Sequence, residues 1–173
     1  GVTLRDNVAP NIGAGAGAIE VADDVAPAPT LTIGGASKLF GNQGGYGGAI
    51  ENYGTLTIKD TVRIHHNTAV QNAGAIYNDA TLNLKGSVRI DHNTAPAPGG
   101  AIFSDKVMTV TGTVVIDFNT GTRGGGIYVG GGTLSLVPGT EVRDNHATEA
   151  NGGGGVGWTG GLPGESLIGV TCG

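Results

Sequence analysis

Short runs in which apolar and polar residues alternate recur along this chain, each bounded by Gly, Pro, Asn or Asp. Alternation at every second position is the mark of a β-strand, and the bounding residues are those that turns require. In one stretch the runs are Ala49–Asn52, Thr55–Ile58 and Val62–Ile64, and the same trio returns about every 26 residues. TLTI at 30–33 and 55–58, TLNL at 81–84, VMTV at 107–110 and TLSL at 133–136 form one series. AGAI at 16–19, GGAI at 47–50, AGAI at 73–76, GGAI at 99–102 and GGGI at 124–127 form a second.

A third series supplies the clearest period. Asn42, Asn67, Asn93, Asn119 and Asn145 are separated by 25, 26, 26 and 26 residues, with Asn7 a further 35 before Asn42. Each follows an aliphatic residue by three positions, in LRDN, LFGN, IHHN, IDHN, IDFN and VRDN. Three series in step establish a structural repeat. No interval holds a helical pattern long enough for a crossover helix, so equivalent strands of successive repeats pair in parallel, coil upon coil. The expected fold is all-β: a parallel β-helix (β-solenoid) with three short strands per coil, about 26 residues per coil and five to six coils. The handedness rule for parallel crossovers makes it right-handed.

This architecture assigns the core. Ile19, Ile50, Ile76, Ile102 and Ile127 form one inward column. Leu31, Leu56, Leu82, Met108 and Leu134 form the next, beside Ile33, Ile58, Leu84, Val110 and Leu136, with Val62, Val88 and Val114 accompanying Ile64 on the third side. The asparagines at 42, 67, 93, 119 and 145 are expected to form a structural ladder, each side-chain amide bonding its neighbours above and below. The whole chain, 1–173, reads as one repeat domain, with an irregular insertion at 21–29 and a degenerate last coil at 152–173.

Composition narrows the function. The 35 glycines are about a fifth of the 173 residues but follow no three-residue period, which excludes collagen. A net charge of −5 from 9 basic and 14 acidic residues argues against nucleic acid as a partner. No run of apolar residues is long enough to span a membrane as a helix. The single cysteine, Cys172, has no internal partner and is available only for an intermolecular disulfide. None of the 12 asparagines begins an N-glycosylation sequence.

Paired GGA[ILV] and FxxN motifs characterise the polymorphic outer-membrane protein family, which this chain resembles over 1–157, with Ile, Leu or Val in place of the usual Phe. The resemblance implies a right-handed β-helix on an exported surface protein, often an adhesin. It places the chain outside the cell or on its surface, with surface glycans or protein receptors as candidate partners.

Several outward columns carry candidate chemistry. Arg5, Phe40, His65, Asp91, Asp117 and Arg143 form one; Asp6, Gly41, His66, His92, Phe118 and Asp144 form the next. Asp91 and Asp117 are placed to share a hard cation, His66 and His92 a soft one. With Arg63 and Arg89 alongside, the strip resembles the carboxylate and basic clusters of polysaccharide-processing β-helices, although neither GHG nor NTD occurs. A solvated face is the favoured reading of the strip, so no catalytic residue, metal or cofactor is expected. Tyr77, Phe103 and Tyr128 form an outward aromatic column, a candidate binding face for sugar rings or a protein surface, or a ladder that steadies the sheet. Thr30, Thr55, Thr81 and Thr133 beside Thr32, Thr57 and Thr109 resemble the threonine arrays of ice-binding proteins, a minor alternative. The glycine runs GAGAG at 13–17 and GGGG at 152–155 lack the context of phosphate loops and read as turns.

The chain opens with a third-strand segment, Val2–Asn7, and no equivalent follows Ser166–Val170. The expectation is either a fragment of a longer repeat protein or a subunit that stacks end to end into a filament, with Cys172 near the junction. The function expected is a non-catalytic extracellular structural or adhesive element, with carbohydrate binding or polysaccharide processing as the alternative.

Overall fold

The computed structural model describes residues 1–9, 15–22 and 26–159 with their side chains, and the backbone of a final strand at 166–168. Cys172 and part of the 21–29 insertion lie outside the described residues.

Three parallel six-stranded sheets wrap one core. The first stacks Ile19–Val21, Ile50–Asn52, Ile76–Asn78, Ile102–Ser104, Ile127–Val129 and Val156–Trp158. The second stacks Thr30–Ile33, Thr55–Ile58, Thr81–Gly86, Val107–Gly112, Thr133–Leu136 and Ser166–Ile168. The third stacks Thr3–Arg5, Lys38–Phe40, Arg63–His65, Arg89–Asp91, Val115–Asp117 and Glu141–Arg143. Every pairing is in the register that the sequence series require: Ile76 lies between Ile50 and Ile102, Leu82 between Leu56 and Met108, Ile90 between Ile64 and Ile116. The described chain is thus a β-solenoid without helix, of about five turns with about 26 residues each.

A fourth contact line, absent from the sequence reading, follows the ladder asparagine. Gln43–Gly44 pairs with Thr68–Ala69 and Thr120–Gly121 with His146–Ala147, and single bridges join Val8 to Gln43 and Thr94 to both Thr68 and Thr120. Two residues are too few for an alternating pattern to register in a sequence.

The core consists of the expected columns. Ile50, Leu56, Ile58, Val62 and Ile64 fill one layer with no exposed surface, and their equivalents in the next two coils repeat it. At full burial each such side chain stabilises the fold by about 1.5–3 kcal/mol. In the first described coil Leu4, Ile19 and Leu31 are only partly covered, and with Leu39 they line an apolar cavity of about 410 Å³.

The glycine before each first-sheet alanine has a reason beyond turn chemistry. A Cβ on Gly74 would lie against the Gly100 carbonyl oxygen of the next coil and 2.5 Å from the Thr94 nitrogen. Backbone from the neighbouring coil occupies that space and cannot swing aside. Gly74→Ala is therefore expected to lower the stability by about 3 kcal/mol, at the upper end of overpacking penalties. Urea denaturation beside Gly139→Ala, whose Cβ would meet nothing closer than 3.9 Å, checks this. Gly139 itself has a positive φ of 95°, so that control carries a smaller backbone cost.

Candidate functional site

The chemistry-bearing residues gather where the third sheet ends. The residue before each ladder asparagine turns the chain with a left-handed backbone: Asp6, Gly41, His66, His92, Phe118 and Asp144 have φ between 53° and 66°. Gly, Asp and His accept this conformation more readily than most residues, and Phe118 is the departure. The turn brings each asparagine under the corner. There Asn42, Asn67, Asn93 and Asn119 are buried and donate from Nδ2 to the Oδ1 of the next asparagine at 2.9 Å. Each of those Oδ1 atoms also accepts the backbone N–H of the asparagine before it, at 2.9–3.0 Å. The expected ladder is present, and Asn7 extends it by one rung at 2.8 Å.

A second ladder runs inside the first sheet. Asn52 donates to Asn78 at 2.7 Å and Asn78 to Ser104 at 2.9 Å, all three buried. Sequence reasoning passed over it because its column changes type, from Val21 through the two asparagines and Ser104 to Val129.

The outward strip is solvated along its second column, where Asp6, Gly41, His66, His92, Phe118 and Asp144 are exposed, and it departs from the solvated face that the sequence favoured at Asp91 and Asp117 in the first. Asp91 and Asp117 have no exposed surface, because arginines from the neighbouring coils fold over them. Arg63 grips Asp91 with Nε–Oδ1 at 2.7 Å and Nη2–Oδ2 at 2.6 Å. Arg89 grips Asp117 at 3.1 and 2.9 Å, and its Nε lies 3.5 Å from Asp91. Arg143 adds a contact to Asp117 at 3.2 Å, and His92 donates from Nδ1 to Asp91 at 2.8 Å. Each grip spans 28 residues, one coil plus two positions, so carboxylate and guanidinium lie diagonally. Two carboxylates therefore alternate with three guanidiniums along the axis. The hard-cation reading of Asp91 and Asp117 gives way to this stack, since their oxygens face guanidinium groups.

The soft-metal pairing of His66 with His92 is likewise corrected. Their rings stack parallel, 5.0 Å apart at 4°, and the Nδ1 of His92 is engaged by Asp91. The Nδ1 of His66 instead faces the Nδ1 of His65 at 2.9 Å, and His65 stacks on Phe40 at 5.0 Å and 4°. Among the described residues no group of three or more His, Cys, Asp or Glu side chains is arranged for a metal ion.

Charge shifts follow burial and pairing. Burial alone would raise the Asp91 carboxyl, but hydrogen bonds from Arg63 and His92 and the nearby guanidinium charges outweigh it and hold Asp91 below the ordinary carboxylate value. Glu51 moves the other way. It is buried beneath the Gly15 and Tyr46 loops, whose backbone N–H groups donate to it at 3.2 and 3.1 Å, and burial pushes its carboxyl up. The signs of linkage are opposite. Glu51 binds a proton more tightly folded than unfolded, so its contribution grows as the pH falls from neutrality towards its ordinary value. Asp91 contributes fully above the ordinary carboxylate value and loses that contribution as the pH falls through its lowered one. Urea midpoints across this range are expected to lose the early acid-side gain in Glu51→Gln and to show a shallower loss below pH ~4 in Asp91→Asn.

The aromatic column is in register, with Tyr77 beside Phe103 and Phe103 beside Tyr128. Its rings stack on one another at centroid distances of 5.4 Å, inclined by 13° and 29°. Phe103 thus has both faces covered by neighbours, and Tyr128 is buried. Tyr46 and Tyr53 flank Tyr77 at 5.1 and 6.2 Å. The column offers ring edges outward, which suits a ladder within the sheet better than a platform for sugar rings. Beside its far end, Arg123, Tyr128, Asn151, Trp158 and Thr159 help to line a cavity of about 230 Å³. On the second sheet the threonine rows are in register but interrupted by exposed Val107 and by Asn83 and Ser135.

No protein-family model, curated protein or solved structure matches this chain.

Proposed function

We propose that this chain is a non-catalytic structural or adhesive segment of a protein displayed outside the cell or on its surface. One observation carries the reading: the two carboxylates that the sequence set out as a polysaccharide-processing cluster, Asp91 and Asp117, are built into the lattice that holds the coils together. The carboxylates of Asp91 and Asp117 face arginines, and the asparagines face one another along the axis. A solenoid whose buried carboxylates and amides are satisfied by one another suits the display or spacing of other surfaces. The likeness of the GGA[ILV] and FxxN motifs to surface-protein repeats supports the same location. Partly covered Leu4, Ile19 and Leu31 suit contact with a further coil, from neighbouring repeats or a second copy stacked end to end.

A second reading, carbohydrate binding, draws on one feature. The cavity beside Tyr128 joins aromatic rings to the donors of Arg123 and Asn151, a combination found in sugar sites. The two readings separate in parallel assays against a polysaccharide and glycan panel and against matrix proteins. The structural or adhesive reading expects no depolymerisation, and any attachment unchanged in Tyr128→Ala. Cleavage products that vanish in Asp117→Asn would contradict it, and glycan binding that vanishes in Tyr128→Ala would favour the second reading.

A further inference from the structure

His65 and His66 are consecutive, yet their rings meet rather than diverge. The left-handed backbone of His66, φ 54°, turns its side chain back towards its neighbour. Their Nδ1 atoms are 2.9 Å apart and their ring centroids 5.1 Å apart, with the planes at 85°. A ring nitrogen lies about 1.1 Å from its own centroid, so the centroid distance nearly equals the nitrogen separation plus two ring radii. The two Nδ1 atoms therefore point almost straight at each other. Phe40 behind His65 and His92 behind His66 fix both rings by parallel stacking.

We propose that His65 and His66 form a two-coordinate site for a soft monovalent d10 ion, Cu(I) or its analogue Ag(I), held between the two Nδ1 atoms. Such ions accept two opposed nitrogen donors, and imidazole is a suitable ligand for copper. In the metal-free pair one Nδ1–H donates to the other Nδ1. On loading, that proton moves through solvent to the Nε2 of the same ring, leaving both Nδ1 lone pairs on the ion, with no net proton release and one positive charge gained. Two metal–nitrogen bonds of roughly 2 Å need a nitrogen separation of about 4 Å, so each ring withdraws by about half an ångström. That withdrawal lies in the ring planes, and it slides the stacks on Phe40 and His92 instead of compressing them. This site stands apart from the structural or adhesive reading and does not depend on it.

The test is a titration of the folded chain with Ag(I), and with Cu(I) without oxygen, in a Cys172→Ser background that removes the thiol. Histidine ¹⁵N spectra should show one ion per chain and, within the His65–His66 pair, a change from one Nδ1–H and one Nε2–H ring to two Nε2–H rings. X-ray absorption with Cu(I) should show two nitrogen neighbours. His65→Phe keeps the stack on Phe40, and His66→Asn tolerates the left-handed backbone; each is expected to weaken binding by about 100-fold, with His146→Ala unchanged. No binding, a four-coordinate ion, or binding that survives His65→Phe or His66→Asn would overturn the proposal.

Discussion

Asn93→Ala is expected to destabilise the protein by about 4 kcal/mol. Its Oδ1 accepts both the backbone N–H and the side-chain amide of Asn67, at 3.0 and 2.9 Å. Its own amide reaches Asn119 Oδ1, the Ile64 carbonyl and the Asp91 carbonyl. Truncation leaves the Asn67 backbone N–H without a partner in a site that has no exposed surface, while the Asn67 amide keeps only the Leu39 and His65 carbonyls, each at 3.1 Å. Each stranded buried group costs about 1–3 kcal/mol, far more than an average hydrogen bond contributes. Asn7→Ala provides the contrast. Asn7 is exposed and, among the described residues, its amide serves only as donor to Asn42, so its loss should cost under about 1 kcal/mol. Urea midpoints of the two variants, measured side by side, give the comparison.

Arg89→Met is the second large effect, at about 3 kcal/mol. Removing one partner of a buried pair commonly costs 3–5 kcal/mol, and the partial exposure of Arg89 places this case at the low end. The guanidinium bridges both carboxylates, so its removal leaves Asp117 with Arg143 alone and Asp91 with Arg63 and His92. Asp117→Asn in the same chain removes the stranded charge. The double variant should then recover more than half of the loss, a coupling that a thermodynamic cycle of the two substitutions measures. If Arg89 and Asp117 prove additive, the alternating stack is not an energetic unit.

The coil, its length, its core columns and the main asparagine ladder were legible because each repeats the same residue type at 26-residue spacing. The charge stack was not, although all its members stood in the strip. Arg63 reaches Asp91 across one coil plus two positions, and a column-by-column reading sees only residues directly above one another. It therefore took Asp91 and Asp117 for neighbours on a wet surface. The same limit concealed the histidine pair: His65 and His66 fall in different columns, and only the positive φ of His66 brings their nitrogens together. The aromatic column was found by spacing, but spacing carries no information on whether rings face outward or one another. Asn52, Asn78 and Ser104 were missed for a simpler reason, since a ladder of mixed residue types leaves no single-letter period.

The claim on which the rest depends is that successive coils lie directly over one another and are tied by the buried amides of Asn42, Asn67, Asn93 and Asn119. Nuclear magnetic resonance of those side-chain amides tests it most directly. The account expects cross-relaxation between the amide protons of successive asparagines, with exchange against solvent strongly slowed for these four and fast for exposed Asn7. Amides that exchange at the rate of Asn7, with no contact from one rung to the next, would contradict it.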